Sequence, residues 1–203
     1  MVNLKDIQDA LKNIQPFIHK TPLIFSNSFS KLISAEVYLK AENLQKTGSF
    51  KVRGAFNKLT GIKGGKVIAA SMGNHAQGVA FAANALGIHA KIVMPVTSPI
   101  VKQEATKSYG AEVVLHGETF NDALVHALSQ KDYMFIHAFD DEKVIAGQGT
   151  IGIEIIDDLK GIDFIIVPVG GGGLISGIAT SVKALSPKTR IIGVQTESAT
   201  SAY

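Results

Sequence analysis

Lys51 lies in the run Lys46-Thr47-Gly48-Ser49-Phe50-Lys51-Val52-Arg53-Gly54, just after a Gly-Ser turn and beside an aromatic ring. A lysine amine becomes nucleophilic when its ammonium form is destabilised, by partial burial or by a second cation. Phe50 and Arg53 stand where they would supply those two influences, and the reaction open to such an amine is Schiff-base formation with a carbonyl. Taken alone, the segment reads more simply as a solvated helix lysine.

A second constellation is Pro168-Val169-Gly170-Gly171-Gly172-Gly173-Leu174, an apolar run that ends in four glycines and opens into helical periodicity. Glycines let a backbone approach a ligand with its N–H groups exposed, and a helix start adds the positive end of its dipole. Together they hold a phosphate dianion without a basic side chain. The alternative is a tight turn, but four consecutive glycines cost conformational entropy that a turn alone does not require.

The third is Ala70-Ser71-Met72-Gly73-Asn74-His75, again between an apolar run and a helix. Ser71 offers a hydroxyl, Gly73 allows close approach, and the first N–H groups of a helix lack intrahelical partners, which suits an amino-acid carboxylate. Asn74 either caps this helix or bonds a ligand. His75, within the first turn, reads as structural rather than as an acid or base. Gly147-Gln148-Gly149-Thr150-Ile151-Gly152 satisfies the dinucleotide pattern G-x-G-x-x-G but follows a helical stretch rather than a strand, so close packing of a helix on the sheet explains its glycines better.

These residues need elements to hold them. Strands are expected at 37–39, 67–70, 92–94, 113–115, 135–136, 164–169 and 191–194, and helices at 4–14, 49–59, 75–86, 100–109, 119–129, 143–159 and 174–185. The alternation predicts an α/β chain with largely parallel strands. Residues 66–137 read as four strands joined by three helices, a small α/β domain placed at 61–144, with 1–60 and 145–203 forming a larger domain. No internal repeat is present.

With 203 residues and 46% hydrophobic content, the chain can bury a core. A net charge of +3 with scattered basic residues argues against a nucleic-acid partner. No apolar stretch approaches the roughly 20 residues of a membrane span, and the start is polar, which predicts a cytoplasmic protein without a membrane partner. With no cysteine and six histidines never spaced i, i+4, no metal is expected at the site.

The segment Asn43-Leu44-Gln45-Lys46-Thr47-Gly48-Ser49-Phe50-Lys51 resembles the cofactor-lysine segment of the threonine dehydratase and serine racemase family, pyridoxal-phosphate enzymes of the tryptophan-synthase-β type. The Ser71 loop and the glycine run match the same family. The resemblance runs from Thr21-Pro22-Leu23 through Val144-Ile145-Ala146-Gly147-Gln148-Gly149-Thr150 to Gln195-Thr196-Glu197. It implies two three-layer α/β domains with pyridoxal 5'-phosphate between them. Lys51 would carry the cofactor and act as the base, with Phe50 against the ring and Asn74 at the phenolic oxygen. Gly170, Gly171, Gly172, Gly173 and Leu174 would surround the phosphate, and Ser71, Met72, Gly73, Asn74 and His75 would form the substrate loop.

The implied reaction is α,β-elimination of threonine or serine to 2-oxobutanoate or pyruvate and ammonia. Serine racemisation and a non-catalytic cofactor-binding fragment are the alternatives. Racemases of the family carry a serine where this chain has Met72, and a thioether cannot shuttle a proton. Metal-binding members place acidic ligands where Gln195 and Ser201 stand here. Relatives continue past the equivalent of Tyr203, so the resemblance implies an incomplete large domain with unpaired sheet edges, and a homo-oligomer in the full-length form.

Overall fold

The computed structural model describes residues 1–62 and 64–197. Helix α1 (Leu4–Ile14) begins at Asn3, whose side chain accepts from Asp6 N while the Asp6 carboxylate accepts from Asn3 N. That reciprocal capping fixes the start, and Ile7, Ala10 and Ile14, three and four apart, are buried. β1 (Leu23–Phe25) and β2 (Tyr38–Lys40) pair antiparallel around α2 (Asn27–Ile33). A single 3₁₀ turn at Glu42–Leu44 leads to α3 (Lys51–Leu59).

β3 (Lys66–Ala70), α4 (Asn74–Ala85), β4 (His89–Met94), α5 (Ile100–Ser108), β5 (Glu112–Leu115), α6 (Phe120–Ser129) and β6 (Met134–Phe135) follow. Their strands form one parallel sheet in the order β5-β4-β3-β6. Strand alternation splits its apolar residues between two faces. Val67, Ala69 and Ile92 meet Val52, Phe56 and Leu59 of α3 and Val79 and Ala83 of α4, while Ile68, Ala70 and Val93 meet Ala123 and Ala127 of α6. The result is a three-layer helix–sheet–helix unit.

α7 (Glu142–Asp158), β7 (Phe164–Pro168), α8 (Gly173–Leu185) and β8 (Arg190–Val194) complete the described chain, with β7 and β8 parallel. Ile151, Ile155 and Ile156 of α7 bury against Ile165, Val167, Ile178 and Val182. The opposite face of this strand pair is open: Phe164 is 50% and Ile166 68% exposed.

The glycines of α7 serve helix packing, not the sheet contact expected from the sequence. A Cβ on Gly147 would lie 2.6 Å from the Arg53 carbonyl oxygen of α3, and one on Gly149 would lie 2.8 Å from the Gly177 carbonyl oxygen of α8. At Gly152 it would meet the Ser181 hydroxyl of α8. Only residues without a side chain allow these helix backbones to come so close. The dinucleotide pattern is therefore the seam of a helix cluster.

Candidate active site

In parallel sheets, ligands sit beyond the carboxyl ends of the strands. β3 leads into the Ser71 loop, β6 beside it ends at Phe135, and β7 leads into the glycine turn. A cavity of about 250 Å³ opens among Phe50 and Lys51, Ala138 and Phe139, Gln148, and the turn from Pro168 to Leu174.

Lys51 is the first residue of α3, and its Nζ donates to the Ala138 carbonyl at 2.8 Å and lies 5.3 Å from the Phe50 ring centroid. Burial holds its pKa below the ordinary lysine value. Arg53 has no part in this, contrary to the expectation of a second cation. Its guanidinium is fully buried and faces away into ion pairs, with Nη2 2.8 Å from Glu42 Oε1 and Nη1 2.6 Å from Glu154 Oε1. Nη1 also donates to Thr150, and Lys40 pairs with Glu154 at 2.6 Å. Burial disfavours the guanidinium charge, but the hydrogen bonds to Glu154 and Glu42 outweigh it and raise the pKa. The cluster ties α3 to α7 and β2. It is a fastening, not an electrostatic influence on the amine.

Across the cavity, Gly172 adopts φ +87° as the N-cap of the 13-residue α8. A Cβ at Gly170 or Gly172 would meet nothing within 4 Å. At Gly171 it would strike the Phe139 ring at 2.3 Å, and at Gly173 the Phe139 carbonyl oxygen at 2.8 Å. The turn is thus open on one side and packed by Phe139 on the other. An amine that can form a Schiff base at one end and an anion cradle at a helix start at the other fit the aldehyde and phosphate of pyridoxal phosphate. Thr47 Oγ1 and Ser49 Oγ, buried in the turn leading to Lys51, have no partner among the described residues.

Phe50, Lys51, Gly170, Gly171, Gly172, Gly173 and Leu174 come together around this cavity; Ser71, Met72, Gly73, Asn74 and His75 do not line it. They sit at the adjoining strand end. Gly73, not Asn74, is the N-cap of α4, and Asn74 is the exposed first residue of the helix. Ser71 Oγ does the capping work, accepting from Gly73 N at 3.2 Å and Ala76 N at 3.3 Å, which leaves its hydroxyl proton available. Met72 is 43% exposed, with the Ser98 hydroxyl 3.8 Å from its sulfur. His75 is buried, and its Nε2 donates to the Ile136 carbonyl at 3.0 Å.

Ala138, Phe139 and Gln148 line the cavity without having been expected at the site, while Pro168 and Val169, the end of the run that leads into the glycines, line it as well. The strand-end rule applied to β6 would have found Ala138 and Phe139, since β6 pairs with β3. No group of three metal-ligating side chains occurs among the described residues, and Ser201 lies outside them. No helix is long and apolar enough to cross a membrane among the described residues.

A partly buried lysine and a glycine-lined helix start, sharing one cavity at the carboxyl ends of parallel strands, have a chemistry that fits a phosphorylated aldehyde. The sequence matches the family described as pyridoxal-phosphate-dependent enzymes over residues 14–203, and the chain belongs to that family. It is 53% identical over 205 residues to the catabolic L-threonine dehydratase of Staphylococcus aureus strain N315, covering 97% of this chain and 59% of that protein. It is 48% identical over 204 residues to the L-threonine ammonia-lyase of Thermotoga maritima, covering 97% of this chain and 51% of that one. The chain therefore spans between half and three-fifths of these relatives' lengths.

The solved threonine deaminase isoform 2 of Solanum lycopersicum superposes with a TM-score of 0.89 at 45% identity, over 94% of this chain and 55% of that one. Serine racemase from Dictyostelium discoideum gives 0.91 at 38% identity, over 97% and 66%. The fold is the α/β arrangement of these enzymes, the tryptophan-synthase-β type that the motifs implied.

Proposed function

We propose that this chain is the amino-terminal part of a threonine ammonia-lyase, which converts threonine to 2-oxobutanoate and ammonia, and serine to pyruvate and ammonia, with pyridoxal phosphate. The observation that carries the reading is that the Lys51 amine, its pKa lowered by burial, lines the same cavity as the glycine turn. The names of the relatives supply the substrate class. We assign residues 61–144 to a small domain that presents the substrate loop, and 1–60 with 145–203 to a large cofactor domain. The full-length protein is proposed to be a homo-oligomer in the cytoplasm.

When bound, pyridoxal phosphate supplies an electron sink that makes the α-proton of an amino acid acidic and lets a β-hydroxyl depart. The residues of this chain would do the rest. N–H groups of the turn 170–173 and the start of α8 would hold the phosphate, and Phe50 would lie against the ring. Asn74 would bond the phenolic oxygen. Ser71, Met72, Gly73, Asn74 and His75 would form the carboxylate loop, where the Ser71 hydroxyl and the first N–H groups of α4 are the donors. Lys51 Nζ, held by the Ala138 carbonyl, would take the α-proton.

Racemisation needs a second proton carrier on the opposite face, and Met72 offers only a weak acceptor there. Incubation with L-serine and L-threonine, following 2-oxo acid and the chirality of recovered substrate, tests the reading. The expected result is 2-oxo acid without D-amino acid from the wild type, and some D-serine from Met72→Ser. Racemisation of serine by the wild type as fast as its deamination would contradict it.

A further inference from the structure

Four contacts converge on the short segment that follows β6. His75 Nε2 donates to the Ile136 carbonyl at 3.0 Å, and Lys51 Nζ donates to the Ala138 carbonyl at 2.8 Å. His137 Nδ1 accepts from Asp140 N at 2.8 Å and Phe139 N at 3.3 Å, which closes the segment on itself. The Phe139 ring and backbone pack on Gly171 and Gly173. Residues 136–140 thus form a strap between the lysine and the phosphate turn, and the strap is fastened to α4 through His75.

We propose that His75 is a positioning residue for Lys51: by holding the Ile136 carbonyl, it fixes the strap whose Ala138 carbonyl orients the lysine amine. The inference rests on the role assigned to Lys51 above. A carbonyl only accepts, so Nε2 must carry the proton and Nδ1 must be bare. Burial keeps this imidazole neutral, with its pKa lowered to about 4, and the Lys51 ammonium and His137 act in the same direction against the Ile136 hydrogen bond. A neutral donor suits the task, because a permanent charge beside Lys51 would repel its ammonium. One of the Lys51 hydrogens is committed to the carbonyl of Ala138, which lines the cavity beside it. Without the His75 bond, the strap loses its tie to α4 two residues before Ala138.

The test is the pH dependence of trinitrobenzenesulfonate labelling at Lys51, read residue by residue by mass spectrometry on the cofactor-free chain. His75→Gln keeps an amide donor, whereas His75→Leu fills the space without one. The expected result is that His75→Gln labels within twofold of wild type. His75→Leu, with an unchanged melting profile, should shift the Lys51 midpoint upward and change its rate at least fivefold, while the other lysines label as before. Should His75→Leu not fold, His75→Asn, whose shorter amide does not reach Ile136, takes its place with the same expectation.

Wild-type labelling of Lys51 in the folded donor-free variant would overturn the proposal. So would an equal shift in His75→Gln, which would show that only the ring's bulk matters. Because labelling needs neither cofactor nor turnover, its failure is distinguishable from failure of the ammonia-lyase reading.

Discussion

Gly170 and Gly172 border open space, while Gly171 and Gly173 accommodate Phe139. A residue at Gly170 needs no positive φ and its Cβ meets nothing within 4 Å, so the chain carrying valine there should fold with ordinary stability. The valine side chain would nevertheless occupy the room a phosphate needs. Pyridoxal-phosphate titration of Gly170→Val should show at least a tenfold loss of affinity with an unchanged melting temperature; unchanged affinity would remove the turn from the phosphate site. Gly171→Val is a different experiment, because it displaces the Phe139 ring and perturbs folding and binding together.

His75 makes a separate prediction about pH. Its folded pKa of about 4 lies below the ordinary 6.5, so the unfolded chain binds more protons between those values. Its contribution is full above about pH 6.5 and is lost as pH falls toward 4, with about 2 kcal/mol already gone near pH 5. Denaturant melts at a series of pH values should show a flatter acid slope for His75→Gln than for wild type, and equal slopes would contradict the buried neutral ring.

At the scale of elements, α7 is the hub. Its glycines meet backbone from α3 and α8, and the buried Arg53, Glu42, Glu154 and Lys40 cluster fastens the same helix to the element that begins at Lys51. Gly147→Ala would put a methyl 2.6 Å from the Arg53 carbonyl oxygen, and forcing the helices apart should cost about 1–3 kcal/mol. Urea unfolding measures this, and a neutral or stabilising result would show that the seam is not tight.

Legibility from sequence followed local signal. The bounds of α1 match to the residue because Asn3 and Asp6 mark its start, and the strands of the central sheet are short apolar runs between clear helical periods. α2 and β1 were not anticipated: α2 buries no residue, so it carries no apolar stripe, and β1 is three residues long. Lys51 and the glycine turn were readable because each motif is contiguous. The bond of Lys51 to Ala138 was not, because it spans 87 residues of sequence and uses a backbone carbonyl, which any residue type provides; the end of β6 signals only that the position lies near a site. The role expected of Arg53 failed for a related reason: proximity in sequence does not tell which way a helix side chain faces, and its true partners lie 11 and 101 residues away.

For the molecule as a whole, the central claim is that strand ends from a four-stranded and a two-stranded parallel sheet, with the start of α3, build one pocket around one reactive amine. Several lysines are more exposed than Lys51, and simple accessibility would favour them. The amine expected to react is instead the one whose pKa burial lowers and which shares its cavity with the glycine turn. The most direct test is to add pyridoxal phosphate, reduce with borohydride, and locate the adduct by peptide mass spectrometry, with Lys51→Ala in parallel. A single reduced adduct on Lys51, absent from Lys51→Ala, is the predicted result. An adduct spread over surface lysines, or retained at full yield in Lys51→Ala, would contradict the account.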